Sequence, residues 1–334
     1  MDTWKTFKED IAESSIVKPG CRVLLAVSGG PDSVSLAHVF WRLSKTMPLT
    51  LFIAHLDHGL RRQSHADVTF VQSLGKKLGL EVVVEKIDVK LHAERKSISL
   101  ETAGRDERYK ALAGIAKRLR CGVIATGHTA TDNAETVLMW LLRGTGPDGL
   151  CGIPRERTLG KCTIVRPLLS VPRRSIIAYL HSQGLSFRVD RSNRSEVFTR
   201  NRIRHRLFPV LESINPRVVE HLTALSKLFV EDYDILRQWS AAAVRRCARI
   251  TPIKIHLDLN MFFRYNKPTQ MRILKTILPE KRTAAQIEQM MRFIFSTCDG
   301  NVKYSASWNV EKKGHKLRFT RSFNRCGDER NIIV

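Results

Sequence analysis

A short segment near the N-terminus combines small residues, a carboxylate and hydroxyl groups at a spacing that suits phosphate binding. Residues 28–33 read SGGPDS and directly follow the apolar run RVLLAV at 22–27. Two glycines allow the backbone to turn sharply and to approach an anion without Cβ clashes. Backbone N–H groups and the positive end of the following helix then bind phosphate. The candidate phosphate-binding residues are Ser28, Gly29, Gly30, Pro31, Asp32 and Ser33.

Asp32 is the unusual member of this loop, because a carboxylate beside phosphates requires a cation between them. Mg²⁺ keeps few protein ligands and prefers phosphate oxygens, so Asp32 is the candidate magnesium ligand. The segment is not a Walker loop, since no Gly-Lys-Ser/Thr follows the glycines. The alternative is a tight turn in which Ser and Asp side chains only cap a helix.

A second polar motif, HLDHGLR at residues 55–61, closes the next apolar run. Its histidines, His55 and His58, together with His128 further along the chain, would suit a metal site, but the sequence places no fourth ligand. A structural turn is another interpretation. If the motif is functional, His58 is a candidate catalytic residue, because histidine accepts protons near neutral pH.

A third motif lies on a predicted helix over residues 101–119. Glu101, Arg105, Arg108 and Tyr109 are spaced i, i+4, i+7 and i+8, which places them on one helix face. A guanidinium can bind a carboxylate through two parallel hydrogen bonds, so Arg105 is a candidate for that role. A solvated face with salt bridges would show the same pattern.

The fourth motif, GHTATDNAET at 127–136, follows another apolar run. Asp132 and Glu135 are three residues apart near a helix start and face the same way. A pair of carboxylates there suits recognition of an amine, or a share of a metal ion. The alternative is a capping box without a ligand.

Arginines are concentrated in a fifth region. Residues 188–206 contain seven of them against two acidic residues, and such a density is repulsive unless an anion offsets it. Arginine stacks on bases and binds phosphate in a fork, so Arg200, Arg202 and Arg204 are candidate RNA contacts. A purely solvated charged face is the alternative.

The elements that must position these motifs alternate between strand and helix patterns in the first half of the chain. The predicted strands are 22–27, 50–55, 81–87, 122–126 and 163–166, and the helices between and after them are 34–43, 67–78, 101–119, 133–142 and 172–183. Such alternation predicts an α/β fold, in which a parallel sheet has helices on both faces. Ligands of such sheets lie beyond the carboxyl ends of the strands, where the motifs occur.

The second half is mainly helical. Helices are predicted at 216–248, 266–277 and 283–295, followed by a β-hairpin built from 301–308 and 315–321. We therefore divide the 334 residues into an α/β domain at 1–210 and a mainly α-helical domain at 211–334 that ends in this hairpin.

Composition restricts the partner and the compartment. Lys and Arg number 56 against 32 Asp and Glu, a net charge of +24, and the excess is present in both halves. This favours a polyanionic partner that touches both, although a basic protein that is merely soluble is the alternative. The seven cysteines form no C-x-x-C, and no apolar run is long enough for a membrane span. We expect a cytoplasmic protein without membrane association, and the sequence leaves open whether it forms a homodimer.

The motifs together resemble a known family. The SGGxDS loop resembles that of the N-type ATP pyrophosphatases, or PP-loop superfamily, whose fold is adenine nucleotide alpha hydrolase-like and Rossmann-like. The motifs at 55–61, 101–109 and 127–136, with RPL at 166–168 and RNRIR at 200–204, are similar to those of the tRNA(Ile)-lysidine synthetases. The resemblance is dense over residues 20–210 and weaker beyond them. It implies that 1–210 is the ATP pyrophosphatase catalytic domain and that 211–334 is the tRNA-binding domain.

This resemblance implies an activity. Members use ATP and Mg²⁺ to adenylate the wobble cytidine (position 34) of a CAU anticodon in an isoleucine tRNA, and L-lysine then replaces AMP at C2. The product, lysidine, changes codon reading from AUG to AUA. By the same resemblance Arg105, Asp132 and Glu135 bind lysine, Arg200, Arg202 and Arg204 contact tRNA, and Asp32, His58 and Asp132 are catalytic. His58, Asp132 and His128 are all candidates for the base.

The nearest rival is a tRNA thiolase of the same superfamily, which usually has a cysteine pair that this chain does not show at that spacing. A small-molecule amide ligase of the same loop family would not need a net charge of +24. A rival from another class is a non-catalytic RNA-binding protein that retains only a relic of the nucleotide pocket.

Overall fold

The computed structural model describes residues 2–57, 64–188, 199–280 and 283–322. The chain forms two compact units, Met1–Val230 and Glu231–Val334. The division falls inside the longest helix of the described part, Val218–Cys247, so this helix contributes to both units. Residues 211–230 therefore belong structurally to the first unit, although the predicted domain boundary lies before them. The functions predicted for the two domains stay predictions.

The first unit is built on a six-stranded sheet in the order β3-β2-β1-β4-β6-β5. Neighbouring strands are parallel except for β5, which is antiparallel to β6. The strands are β1 (Arg22–Ala26), β2 (Thr50–Asp57), β3 (Glu81–Lys86), β4 (Val123–Thr126), β5 (Glu156–Leu159) and β6 (Cys162–Val165). This architecture confirms the predicted α/β class.

Helices cover both faces of the sheet. Alternate strand residues point to opposite sides, and because both sets are apolar, both faces are buried under helices. In β1, Val23 and Leu25 pack on one face with Phe40, whereas Leu24 packs on the other with Leu112. The helices of this unit are α1 (Thr3–Glu13), α2 (Pro31–Ser44), α3 (Ser64–Leu78), α4 (Val89–Lys96), α5 (Leu100–Arg118), α6 (Ala130–Leu142), α7 (Pro147–Leu150), α8 (Arg173–Ser182), α9 (Thr199–Arg202) and α10 (Phe208–Ile214). α11 (Val218–Cys247) starts in it.

A π-helical turn, Ile203–Leu207, joins α9 to α10. The turn is closed by the Phe208 N–H, which donates to the Ile203 carbonyl. Because positions five apart align in a π turn, Ile203 and Phe208 both enter one apolar cluster with Ala134 of α6. The described part of the arginine-rich region, from residue 199 onwards, is thereby attached to the helix that carries Asp132 and Glu135.

The second unit packs helices against a five-stranded antiparallel sheet in the order β7-β8-β11-β10-β9. Its elements are β7 (Ala248–Ile250), β8 (Lys254–Asp258), α12 (Leu259–Phe262), α13 (Lys267–Ile277), α14 (Ala284–Phe295), β9 (Gly300–Ser305), β10 (Trp308–Lys313) and β11 (Lys316–Arg321). The core includes Phe262, Ile273, Val310, Leu317 and Phe319, all fully buried.

The predicted hairpin was wrong in its first strand. The segment 301–308 is not one strand: β9 ends at Ser305 and β10 begins at Trp308, and it is β10 that pairs with β11. The antiparallel sheet extends beyond the hairpin, since β8 pairs with the other edge of β11. Within the described ranges, none of the helices combines the length and apolar character that crossing a bilayer requires.

Candidate active site

The SGGPDS loop connects β1 to α2 and is closed by its own side chains. The Ser28 N–H donates to the Ser33 hydroxyl over 3.1 Å, and that hydroxyl donates to the Gly30 carbonyl over 2.9 Å. Gly29 has a φ of +91°, which L side chains rarely adopt. Pro31 begins α2, and the residue before it, Gly30, brings no capping side chain. The first N–H groups of α2 are thus available to an anion.

Gly127, at the end of β4, packs directly on the first turn of α2. A Cβ at this position would lie 2.9 Å from the Asp32 carbonyl oxygen, closer than real Cβ contacts allow. The glycine therefore permits the close approach that brings the fourth motif beside the phosphate-binding loop. Residues 28–33 and 127–136 form one site at the carboxyl ends of adjacent strands, β1 and β4.

The Asp32 side chain is half-buried, with 21% of its surface exposed, and its carboxylate is incompletely paired. Its Oδ2 lies 3.5 Å from the nearest guanidinium nitrogen of Arg173, and its Oδ1 has no hydrogen-bond partner. Burial raises the pKa of Asp32 from 3.8 to about 6; Arg173 opposes this rise and the charge of Asp132 adds to it. Such a carboxylate suits a cation, because a bound metal ion would satisfy the free oxygen and favour the ionised form.

Asp132 and Glu135 are paired with two arginines of the RNA-contact prediction. Arg200 donates to Glu135 Oε2 over 2.7 Å and to Asp132 Oδ1 over 2.9 Å. Arg204 donates to Glu135 Oε1 over 2.6 Å and to Asp132 Oδ1 over 3.2 Å. Glu135 has no exposed side-chain surface, whereas Asp132 keeps 15%. Burial opposes ionisation of Asp132, but Arg200 and neighbouring groups outweigh it and lower its pKa.

The four residues were assigned to two different ligands by the sequence, and the structure places them in one cluster. Lysine binding by Glu135 would require Arg200 and Arg204 to move away from it. A capping box is present, but Thr129 and Asp132 form it rather than Asp132 and Glu135. Those roles stay predictions.

Arg202 differs from its two neighbours. It is exposed, and among the described residues it forms no ion pair, so its guanidinium is accessible to an anion in solution.

Two of the three histidines can be placed. His55 is buried, and its Nδ1 lies 2.9 Å from the Val27 carbonyl oxygen, next to the loop. His128 lies with Nδ1 2.9 Å from the Thr126 hydroxyl, and burial, with neighbouring arginines, lowers its pKa to about 4. His128 is therefore neutral at physiological pH. His58 lies outside the described residues, and within the described part no three His, Cys, Asp or Glu side chains are grouped as metal ligands.

Arg105 lies beside Tyr109 in a cation-rich surface cavity. The guanidinium of Arg105 is 5.9 Å from the Tyr109 ring centroid, and that of Arg157 is 5.1 Å from it. Arg166, which is buried, donates to the Tyr109 hydroxyl over 3.4 Å. Burial opposes ionisation of the Tyr109 phenol, but Arg166 outweighs it and lowers the pKa. The cavity has a volume of about 490 Å³. Its lining combines four cations with two carboxylates, so its net charge is positive and suits an anionic group; these residues are Lys96, Arg105, Lys110 and Arg157 with Asp106 and Glu107.

The structure adds Arg173, which sequence reasoning missed. It is the first residue of α8, and its backbone N–H donates to the Thr131 hydroxyl over 3.2 Å. This bond ties the start of α8 to the start of α6 and places the Arg173 side chain against Asp32. One arginine at the start of the predicted helix 172–183 gives no signal of such a role, because the contact joins residues far apart in the chain.

Comparisons with known proteins agree with the motifs. A family model described as PP-loop domain matches residues 4–211. The chain is 42% identical over 72% of its length to the tRNA(Ile)-lysidine synthase of Symbiobacterium thermophilum, of which it covers 50%. It is 34% identical over 80% of its length to that of Geobacillus kaustophilus, covering 58%. With the Bacillus cereus enzyme the identity is 31% over 95% of this chain and 67% of the relative. The chain thus spans little more than half the length of the first two relatives.

Among solved structures, the chain is similar to the U34-tRNA thiolase NcsA from Methanococcus maripaludis. The TM-score is 0.56 at 16% sequence identity, and the match covers 68% of this chain and 77% of the thiolase. At this identity the likeness concerns the fold alone.

Proposed function

Since the chain belongs to the PP-loop family, and within it to the tRNA(Ile)-lysidine synthases, we propose that it joins L-lysine to C2 of the wobble cytidine (position 34) in the CAU anticodon of an isoleucine tRNA. ATP is converted to AMP and pyrophosphate through an adenylated tRNA. The lysidine formed changes codon reading from AUG to AUA. We place this reaction in the cytoplasm, where tRNA is available.

One observation carries the proposal most directly: the PP-loop presents an uncapped helix start together with a buried carboxylate oxygen that lacks a partner. The N–H groups of α2 suit the phosphates of ATP. The free Oδ1 of Asp32 fits Mg²⁺, which favours oxygen ligands and phosphate together. When bound there, Mg²⁺ would neutralise charge on the phosphates.

The first chemical step is adenylation of the base. The cytidine C2 oxygen attacks the α-phosphorus of ATP, the bond to the β-phosphate oxygen breaks, and pyrophosphate leaves. The N-terminus of α2 stabilises the charge that develops on the transferred phosphoryl group. The anticodon must present this base unstacked, as single-stranded RNA readers require.

In the second step the lysine ε-amine attacks C2, and the C2 oxygen leaves with AMP. We propose that Arg105 binds the lysine carboxylate, since it borders a cavity with a net positive lining, and that the cluster of Asp132 and Glu135 orients the amine. Asp132, which retains some exposure, can receive the amine directly. Glu135, which is fully buried, acts by holding Arg200 and Arg204.

The amine must lose protons to a base. Asp132 is a weak candidate, because its pKa is lowered and both arginines pair with it. His128 is neutral but also a weak base, since its pKa is about 4. His58 stays a candidate beside them.

The second unit offers a surface for the rest of the tRNA. Burial alternates along β8 and β11, so their cations lie on the face opposite the core. In register across three strands, Arg249 lies beside His256, and His256 beside Arg318. Slight burial and the surrounding cations, first Arg318, lower the pKa of His256, which marks the face as electropositive. We propose that this sheet face contacts phosphates of the tRNA backbone, and that the exposed Arg202 of the first unit makes a separate phosphate contact.

The test is release of pyrophosphate and AMP with transcribed tRNA, with and without L-lysine. We expect AMP release only when ATP, the CAU-anticodon isoleucine tRNA and lysine are all present. Turnover that needs a sulfur donor and ignores lysine would instead favour a thiolase, and turnover without RNA would favour a small-molecule ligase. The mass of the active species in solution decides whether it is a homodimer.

A further inference from the structure

The backbone of Arg173 is held by a hydrogen bond, whereas its side chain makes only one long contact. Its N–H bonds Thr131, and the neighbouring Val171 carbonyl accepts from the Ala130 N–H over 3.0 Å, so the start of α8 is held against the start of α6. Its guanidinium contacts Asp32 at 3.5 Å, which is long for a charged hydrogen bond. About a third of the side chain is exposed.

The arginines of the neighbouring cluster differ in this respect. Arg200 and Arg204 each make short bonds to two carboxylates at 2.6–3.2 Å, one of which is completely buried. Separating them would leave a buried charge without a partner, which is unfavourable. Releasing Arg173 breaks one long contact. In the described part of the chain, the guanidinium of Arg173 has no ion-pair partner besides Asp32.

We propose that Arg173 is a ligand of the β- and γ-phosphates of ATP, and of pyrophosphate after cleavage, which it reaches by leaving Asp32 when a cation binds that carboxylate. The proposal rests on the proposed function, because it assumes that ATP is cleaved between the α- and β-phosphates at this loop.

The physical argument is an exchange of partners. In the structure the positive charge of Arg173 offsets that of Asp32. A divalent cation on Asp32 makes this offset unnecessary and repels the guanidinium. The planar fork of arginine donors matches the terminal phosphates, which the uncapped N–H groups at the start of α2 would also bind. Pyrophosphate is the leaving group, so a cation at this position also stabilises charge that grows as the bond breaks.

Binding measurements separate this role from a structural one. We would measure the dissociation constants of ATP, AMP and inorganic pyrophosphate by calorimetry in the presence of Mg²⁺ for the wild type, Arg173→Ala and Arg173→Lys. Losing a charge-assisted contact predicts that Arg173→Ala weakens ATP and pyrophosphate binding about 10- to 100-fold and AMP binding less than about twofold. The lysine variant, which keeps the charge without the fork, should fall between.

Arg174→Ala is the matched control, because Arg174 is the next residue of α8, is exposed and pairs with Glu220 instead. It should leave all three constants unchanged. The proposal would be overturned if Arg173→Ala weakened AMP and ATP binding equally, or if it left pyrophosphate binding unchanged. If the alanine variant does not fold, the same comparison of dissociation constants is made with Arg173→Lys. If the wild type itself binds no ATP, the proposed function fails, not only the role of Arg173.

Discussion

Two carboxylate sites lie side by side in the first unit, and they differ in how completely their oxygens are paired. Glu135 and Asp132, on α6, receive bonds from both Arg200 and Arg204. Asp32, on α2, has one long contact and one free oxygen. Both sites follow strands of the same sheet, so position does not explain the difference. Complete pairing of its charges lets the cluster of Asp132 and Glu135 stabilise the fold. The free oxygen of Asp32 leaves that carboxylate able to bind a ligand.

The energetic consequence is opposite for the two sites. Burying a charge is costly unless partners compensate it. The arginines compensate Asp132, whose pKa is lowered despite burial. At Asp32 desolvation dominates and the pKa rises to about 6. The ionised Asp32 therefore lowers the free energy of unfolding at the site where we expect the cation and the nucleotide to bind. Functional sites often show such a local loss of stability.

The largest effect is expected from breaking the paired cluster. Glu135→Ala leaves Arg200 and Arg204 without their buried partner, and removing one member of a buried ion pair lowers the free energy of unfolding by about 3–5 kcal/mol. Chemical denaturation measures it. Glu220→Ala, which removes the partner of the exposed Arg174, is the control and should cost less than about 1 kcal/mol. A similar decrease in the free energy of unfolding in both variants would show that the cluster does not stabilise the fold.

The second prediction concerns Asp32 and pH. The folded-state pKa of about 6 lies above the unfolded value of 3.8, so the folded protein binds more protons between these values and loses stability as pH rises through them. The shift corresponds to roughly 3 kcal/mol. Asp32→Asn does not ionise, so its advantage over the wild type in unfolding free energy should grow from pH 4 to pH 6 and stay constant above.

Denaturation of both proteins across this range, without nucleotide or Mg²⁺, checks the prediction. A stability difference that does not vary with pH would mean that Asp32 is not the unsatisfied carboxylate of the comparison.

A third prediction tests the lysine site. Arg105→Ala should raise the lysine KM about 10- to 100-fold, because a bond between a guanidinium and a carboxylate is lost, and should change the ATP KM little. Steady-state AMP release measures both constants. Arg118→Ala, a more distant arginine of the same helix that pairs with Glu85, is the control. Equal rises in the two constants would indicate a structural role for Arg105.

The smallest effect is expected at Arg202. Because this side chain is exposed and has no ion-pair partner in the described ranges, Arg202→Ala should leave stability unchanged and weaken tRNA binding by about 1 kcal/mol or less. The slope of log affinity against log salt should fall by about 1. Arg200→Ala, by contrast, should destabilise the fold. An unchanged salt slope for Arg202→Ala would remove it from the RNA interface.

Much of the fold follows from local sequence patterns. The strands 22–27 and 50–55 are continuous apolar runs, and the helix at 133–142 is strongly apolar, so their positions were predicted within a few residues. The short strands β5 and β7 were missed because their three or four residues carry little periodicity. In β8, polar and apolar residues alternate, but a run of five residues is too short to mark a strand by itself. The first hairpin strand failed because 301–308 contains a turn that the alternation does not mark.

The candidate site was predictable in its residue types but not in its pairing. The motif at 28–33 indicates phosphate chemistry from glycines and a carboxylate alone. Nothing local shows that Arg200 would bind Glu135, because the two are separated by 65 positions and meet only after α9 packs on α6. The same holds for Arg173 and Asp32. Long-range ion pairs depend on tertiary structure, which single-sequence patterns do not contain.

The most direct test of the account is transfer of radiolabel from the α-phosphate of ATP to tRNA. With lysine omitted, the wild type should form a labelled CAU-anticodon isoleucine tRNA, and adding lysine should release the label as AMP. Asp32→Ala should transfer no label while still binding the tRNA. Label that never reaches the RNA, or transfer at the wild-type rate by Asp32→Ala, would contradict it.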